Sequence, residues 1–334
     1  MGINLARQSL GWPFVWVTLL LLLFCGRGTT YPVELTASYV RDMPLGEMLA
    51  GLAARMPVLC SYISIFLVLL NTVLITSIVS RNMIYTDKMF MPAVIYVVVS
   101  CGNYFGGEAI VGIVASWLVI CSCSLTINSF RRQKQYGKTF LAAIMLGALP
   151  LIYPPAVVFA VMIPVSLAVF RKDWHEAVIS ITGYVLPFVI ASYIYWGMGE
   201  PFSYLGLAFY GTLLSCAEQA AFIGDFVRPD LLVFWGVTAI TATVSIFIFF
   251  NRAPLMRTRP YKSYIFFIWL LVASAVLFAA PCRSVNDFPL IAVPLSVVMP
   301  MFFSRQEGWV TNITYLAFTI SVVMFNALPF FSAR

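Results

Sequence analysis

Apolar runs long enough to cross a lipid bilayer recur along the whole chain of 334 residues. A helix needs about 20 mostly apolar residues to cross the hydrocarbon core. A backbone in lipid must satisfy its own hydrogen bonds, which favours helices for such runs. Charged residues make up only 10% of the chain, whereas soluble proteins contain about 25%. The sequence therefore predicts an all-α, polytopic transmembrane helical bundle that forms a single integral membrane domain over residues 1–334.

Eleven segments are predicted to be spanning helices, and we interpret the first as an uncleaved span rather than a signal peptide. They lie near residues 11–26, 57–80, 89–106, 109–130, 139–153, 155–170, 177–198, 231–250, 263–280, 289–303 and 309–331. The fifth and sixth segments are separated by the turn Tyr153-Pro154-Pro155, because proline ends one helix and can begin the next.

Two stretches between the predicted spans are long enough to hold structure of their own. In the first, "MPLGEMLAGLAARMP" combines helix formers with an apolar face, which predicts an interfacial helix lying flat on the membrane. The second, residues 202–226, is too apolar for a free loop and too interrupted for a clear span. A re-entrant segment and an interfacial segment both remain open for it.

The basic residues fall mainly in alternate turns, as in the dense group of "NSFRRQKQYGKTFL". Lysine and arginine favour cytoplasmic turns, so the N-terminus is predicted to be cytoplasmic and the C-terminus to lie on the opposite side. Most of the 13 aspartates and glutamates fall on that opposite side. This arrangement explains the net charge of +7, so the lipid bilayer is the expected partner and nucleic acid is not.

The region from Arg81 to Trp196 carries four features that mark a resemblance. They are the basic turn, the Tyr-Pro-Pro break, the Arg-Lys-x-Trp turn at Arg171–Trp174 and the Gly-Tyr-x-x-Pro at Gly183–Pro187. In these the chain resembles a family of uncharacterised polytopic inner-membrane proteins of Bacteroidota, a domain of unknown function. The resemblance implies a multi-pass protein of the cell inner membrane, and with the orientation predicted from the basic residues this places the C-terminus in the periplasm. It implies no catalytic residues.

Three carboxylates on the predicted outer side are the candidate catalytic residues: Asp42, Glu47 and Glu108. Asp42 and Glu47 lie in the first outer loop, where membrane glycosyltransferases that use polyprenyl-phosphate sugars often place a base or metal ligand. Glu108 follows the tight turn "SCGNYFGG", where it could act as a base or bind a cation. The alternative is that all three are solvated carboxylates on a hairpin and an interfacial helix.

Candidate substrate-binding residues lie in two other outer turns. Arg283 is a basic residue on the predicted outer side, where basic residues are few, and it could bind a phosphate with two hydrogen bonds. Asp287 lies four residues further on in the same turn, and Asn103 lies in the turn that leads to Glu108. The alternative for Arg283 and Asp287 is an exposed ion pair, worth about 0–1 kcal/mol.

These residues favour a protein of cell-envelope biogenesis that acts on a polyprenyl-phosphate-linked glycan at the outer face. The alternative is a non-catalytic membrane subunit or scaffold that binds an envelope protein partner. A transporter ranks third, because no predicted span carries an Asp, Glu, Lys or Arg near its centre. The sequence shows no metal-binding motif, so no metal site is predicted, and it leaves the cofactor unknown.

Overall fold

The computed structural model describes residues 43–85, 91–101, 109–131, 135–218, 229–279 and 286–305, and every element within them is a helix. In chain order these are α1 (Pro44–Arg55), α2 (Pro57–Arg81), α3 (Met91–Cys101), α4 (Ile110–Arg131), α5 (Tyr136–Ile152), the 3-10 helix η1 (Pro154–Val161), α6 (Met162–Phe170), α7 (Trp174–Gly197), α8 (Tyr204–Glu218), α9 (Pro229–Arg252), the 3-10 helix η2 (Ala253–Leu255), α10 (Thr258–Ala279), α11 (Asp287–Val298) and α12 (Pro300–Arg305).

The predicted all-α class is confirmed over the described residues, and each predicted span within them coincides with helical structure. Five of the helices, α2, α4, α7, α9 and α10, are long and apolar enough to cross a membrane. The helices at the other predicted positions are apolar but shorter. Membrane insertion follows from the five long helices, whereas the number of eleven spans stays a prediction. The segments predicted at 11–26 and 309–331 lie outside the described residues.

The basic turns meet at one end of the bundle, which we call the basic end. Arg259, near the start of α10, donates to Asn82 Oδ1 just past the end of α2, at 2.8 Å. Lys262 Nζ lies 4.7 Å from the centre of the Phe130 ring near the end of α4. Phe130 in turn lies 5.2 Å from the Phe170 ring at the end of α6. The described cations of the predicted cytoplasmic turns, such as Lys172, Arg259 and Lys262, therefore share one end of the helix bundle.

The opposite end of the bundle is defined by the start of α11, and we call it the Asp287 end. The Tyr153 hydroxyl, between α5 and η1, donates to Asp287 Oδ1 at 2.7 Å. The Trp235 ring in the first turns of α9 stacks on Phe288, with 5.7 Å between ring centres. The start of α9, the start of α11 and the end of α5 therefore lie at this end.

Helix α8 begins at the Asp287 end and runs back along α7. The Tyr204 ring lies 5.5 Å from the Tyr195 ring, and the Phe209 ring lies 5.5 Å from the Phe188 ring. Since α9 also begins at the Asp287 end, the chain makes no net crossing between the starts of α8 and α9. This agrees with the re-entrant interpretation of residues 202–226, of which 219–228 lie outside the described part.

The predicted interfacial segment forms α1, which packs against α5, α2 and α4 at the Asp287 end. Gly46 and Ala53 are buried on its inner face. Met43, which precedes it, is fully buried in a cluster with Leu151 and Leu205. The helix predicted from the apolar periodicity is thus confirmed, and it lies against the end of the bundle.

Helix α11 runs through the interior of the bundle, and all of its residues are buried. Met299, between α11 and α12, keeps helical dihedral angles, φ −62° and ψ −35°, so the two segments follow one another as one apolar helix. Hydroxyl groups from three other segments donate to its carbonyls: Tyr85 to Val297, Tyr264 to Val298 and Ser245 to Met299. These hydrogen bonds tie the buried helix to α9, to α10 and to the segment that follows α2.

Candidate functional site at the Asp287 end

Asp287 and Tyr153 form a buried polar pair at the Asp287 end. Asp287 is the first residue of α11 and is only 1% exposed, while Tyr153 is fully buried. Burying a carboxylate is costly unless it is hydrogen-bonded, and the Tyr153 hydroxyl supplies such a bond. The interpretation of Asp287 as a member of an exposed ion pair is wrong, because the residue opens a helix inside the bundle rather than lying in a solvated turn.

The starts of α4 and α11 are joined beside this pair. The Gly112 N–H, in the first turn of α4, donates to Asn286 Oδ1 at 3.1 Å. Such first-turn N–H groups have no partner within their own helix, so Asn286 caps α4 from another part of the chain. A Cβ at position 112 would lie 2.6 Å from the backbone oxygen of Asn286. Only glycine allows the two backbones to approach this closely.

The predicted site residues are distributed unevenly over the described and undescribed parts of the chain. Glu47 lies on α1, is exposed, and interacts electrostatically with Tyr195 of α7. Asp287 lies in the buried pair. Four other candidates lie outside the described residues: Asp42, Asn103, Glu108 and Arg283.

The sequence neighbours of two of these candidates do meet in the structure. Glu108 directly precedes the segment that begins at Ala109 and contains Gly112. Arg283 lies three positions before Asn286. Because Gly112 and Asn286 are hydrogen-bonded, the two segments that lead to Glu108 and Arg283 converge at the Asp287 end.

Tyr153 and Gly112 are the residues of this region whose role the sequence interpretation misses. The sequence identifies Tyr153 only as part of a proline turn, and Gly112 only as part of a glycine-rich stretch. The usable signal is Tyr153 directly before two prolines, where a helix must end. The side-chain partner, 134 positions away, leaves no local trace in the sequence.

A second polar cluster lies at the basic end and joins α4, α5 and α7. Lys172 Nζ donates to Ser129 Oγ at 2.9 Å and to Thr139 Oγ1 at 3.1 Å, and it lies 3.1 Å from Glu176 Oε2. The Lys172 and Glu176 side chains are 5% and 14% exposed. Burial lowers the pKa of Lys172, while the hydrogen bond and the charge of Glu176 oppose that shift. These groups satisfy one another, so the cluster ties helices together.

Metal-binding groups do not gather in the described part of the chain. Within it, no set of three or more histidine, cysteine, aspartate or glutamate side chains could hold a metal ion.

The Tyr153–Asp287 hydrogen bond leads to a first prediction. Asp287→Ala should lower the free energy of unfolding by about 1–3 kcal/mol, because it leaves the buried Tyr153 hydroxyl without this acceptor. Asp287→Asn keeps an acceptor and should cost less. The measurement is thermal unfolding of the detergent-purified variants. Adding Tyr153→Phe and the double variant Tyr153→Phe/Asp287→Ala gives the coupling free energy between the two side chains. Costs that add to within about 0.3 kcal/mol would show that the two side chains act independently.

Comparison with known proteins adds no relative. No protein-family model matches this chain, and no curated protein gives a significant match. The resemblance to the Bacteroidota inner-membrane family therefore stays a prediction.

Proposed function

We propose that this chain is an integral membrane enzyme of cell-envelope biogenesis that acts on a polyprenyl-phosphate-linked glycan at the Asp287 end. In this proposal it resides in the cell inner membrane, with the basic end and the N-terminus in the cytoplasm. The C-terminus and the Asp287 end then face the periplasm. The support for this orientation is the grouping of the basic turns at one end, since basic turns favour the cytoplasm.

One observation carries the proposal: α1 with Glu47 and the start of α11 with Asp287 share one end of the bundle. The segments that converge there lead directly to Glu108 and Arg283. A carboxylate can remove the proton of an attacking hydroxyl, and an arginine can bind a phosphate with two hydrogen bonds. These are the two functions that transfer from a phosphate-linked sugar requires.

The candidate residues take different roles in this scheme. Asp42, Glu47 and Glu108 are the candidate bases or cation ligands, and Arg283 with Asn103 binds the phosphate and sugar. Asp287 is buried against Tyr153, so we assign it to holding the start of α11 rather than to binding substrate.

The proposal predicts a loss of glycan on the cell surface. Glu108→Gln and Arg283→Gln should each reduce the glycan about 100-fold, as expected when a general base or a phosphate ligand is removed. Asp42→Asn and Glu47→Gln test the other two carboxylates in the same assay. Glycan is measured by labelling of whole cells, and transfer by purified membranes supplied with polyprenyl-phosphate sugar. Protein levels are followed by immunoblotting.

Glu200→Gln is the matched control, because Glu200 is an exposed carboxylate in the turn between α7 and α8 at the same end. It should leave the glycan unchanged. Unchanged glycan in all four candidate variants, at normal protein levels, would contradict the enzymatic proposal.

A non-catalytic membrane subunit or scaffold is the second candidate, and the exposed face of α7 favours it. In the most apolar stretch of α7 only 17% of the residues are buried, against 72% in that of α4. Large side chains on this face include Tyr193 and Trp196, which are 63% and 56% exposed. Purification from the native membrane without crosslinker tests it: a stoichiometric partner that Tyr193→Ala releases supports a scaffold, and a lone chain opposes it.

A further inference from the structure

The first two turns of α2, directly after the corner with α1, carry a shallow apolar groove on the surface of the bundle. Pro57 opens α2, and Met56 links the two helices with φ −136° and ψ 66°, outside the helical region. The groove has a volume of about 530 Å³ and is lined by Met56, Pro57, Val58, Leu59, Tyr62 and Ile63. The volume is within the range of ligand pockets, about 300–1,000 Å³, but the groove is wide open, so it fits part of a lipid chain that lies along α2 rather than an enclosed ligand.

The side chains of this groove are apolar and yet uncovered. Val58, Leu59 and Tyr62 are 56%, 51% and 69% exposed. On α1 the exposed Leu45, Met48 and Leu52 continue the apolar surface at spacings of three and four residues, followed by Met56. An apolar stripe of this kind, on a helix whose other face packs on the bundle, is typical of contact with hydrocarbon.

Arg55 ends α1 and directly precedes Met56, the first residue of the groove. It is exposed, and it forms no ion pair with any carboxylate that the structure describes. It is also the one arginine or lysine of the described ranges at the Asp287 end, because the others lie at helix ends that meet at the basic end. A single cation beside an apolar groove complements an amphiphile with one anionic head and a hydrocarbon tail.

We infer that this groove binds the lipid part of a polyprenyl phosphate, with the isoprenoid chain along Met56–Ile63 and with Arg55 as a second ligand of the phosphate that the proposed function assigns to Arg283. The lipid class rests on the proposed function. The location is independent of it, because it follows from the groove and the cation. Arginine suits this role since its guanidinium binds phosphate oxygens in a bidentate manner. The groove lies at the same end as Glu47 and Asp287, so a lipid held there places its head at the candidate site.

Binding to the purified full-length chain in detergent tests the inference, with a long-chain polyprenyl phosphate as the probe and native mass spectrometry as the readout. Val58→Trp fills the groove and should weaken binding about 10-fold or more. Val73→Trp is its matched control, because Val73 lies on the same helix and is 55% exposed. It should change binding less than about two-fold.

The role of Arg55 is tested by comparing polyprenyl phosphate with the uncharged polyprenol. Arg55→Gln should reduce the preference for the phosphate about 10-fold, as expected for the loss of a charge-assisted hydrogen bond. Arg81→Gln, at the other end of α2 and likewise exposed, should keep that preference. Phosphatidylglycerol vesicles serve as the competitor that separates a polyprenyl site from a general anionic-lipid surface.

The outcomes separate this inference from the proposed function. Normal binding by Val58→Trp and Arg55→Gln overturns the inference, even if Glu108→Gln and Arg283→Gln abolish the glycan. Equal competition by phosphatidylglycerol overturns the lipid class. Loss of binding in Val58→Trp, together with unchanged glycan in the carboxylate and arginine variants, supports the lipid site and contradicts the enzyme.

Discussion

Gly147→Ala should prevent α5 and α7 from packing in their observed positions. Gly147 faces the backbone of Tyr184, and an added Cβ would overlap the carbonyl oxygen of that residue. Backbone atoms cannot rotate away as a flexible side chain can, so the two helices must separate. Overpacking usually costs about 1–3 kcal/mol, occasionally more, and we expect at least about 3 kcal/mol here. Thermal unfolding of the detergent-purified protein measures this loss.

Gly137→Ala is the control for that substitution. Gly137 lies in the first turn of the same helix, and a Cβ added there would have no other atom within 4 Å. Alanine at this position should be neutral or stabilise the protein by up to about 1 kcal/mol, because it favours the helix. If Gly147→Ala unfolds at the same temperature as Gly137→Ala, the close approach of α5 and α7 is wrong.

Lys172→Met should be the second most damaging substitution. It removes the cation that binds Ser129, Thr139 and Glu176, and it leaves the Glu176 carboxylate largely buried. Breaking a buried pair on one side costs about 3–5 kcal/mol. The Glu176 side chain retains 14% exposure, so we expect about 3 kcal/mol, the lower end of that range. The measurement is again thermal unfolding in detergent.

The double variant Lys172→Met/Glu176→Met provides the control, because it removes both charges together. Replacing a whole buried pair by apolar side chains is often neutral, so most of the stability should return. A double variant as unstable as Lys172→Met would show that the stranded carboxylate is not the cause.

The pH dependence gives a second readout for the same cluster. Burial lowers the pKa of Lys172 below its ordinary value of 10.5. At pH values between the lowered pKa of Lys172 in the folded chain and its ordinary pKa in the unfolded chain, the unfolded chain binds more protons. The free energy of unfolding should therefore rise with pH in that range. The Lys172→Met variant should not show this rise of stability with pH. A rise of the same size in the variant would show that other titrating groups cause it.

The position of the helices could be predicted from sequence with small errors at the ends. The predicted span at 57–80 is the helix Pro57–Arg81, and the amphipathic stretch before it is the helix Pro44–Arg55. Both follow from local patterns, the length of an apolar run and the spacing of its apolar residues. The predicted span at 289–303 is likewise helical, as α11 and α12, with only Met299 between them. What the sequence does not show is that hydroxyls from distant segments donate to the carbonyls of this helix.

The candidate site was predictable only in part. Sequence reasoning selects Asp287 as a polar residue of interest but places it in an exposed turn. Its burial depends on Tyr153, and that partner depends on where the Tyr-Pro-Pro turn packs. In the same way, the importance of Gly112 depends on the backbone of Asn286.

The sequence by itself determined that the chain forms apolar helices and that its basic turns separate from most of its carboxylates. Both properties can be read from each segment alone, because a helix in lipid satisfies its backbone hydrogen bonds within its own residues. Only the tertiary structure decided that Asp287 is buried against Tyr153 and that Lys172 joins three helices. Such contacts join residues far apart in the chain, so their free energy depends on how the helices pack.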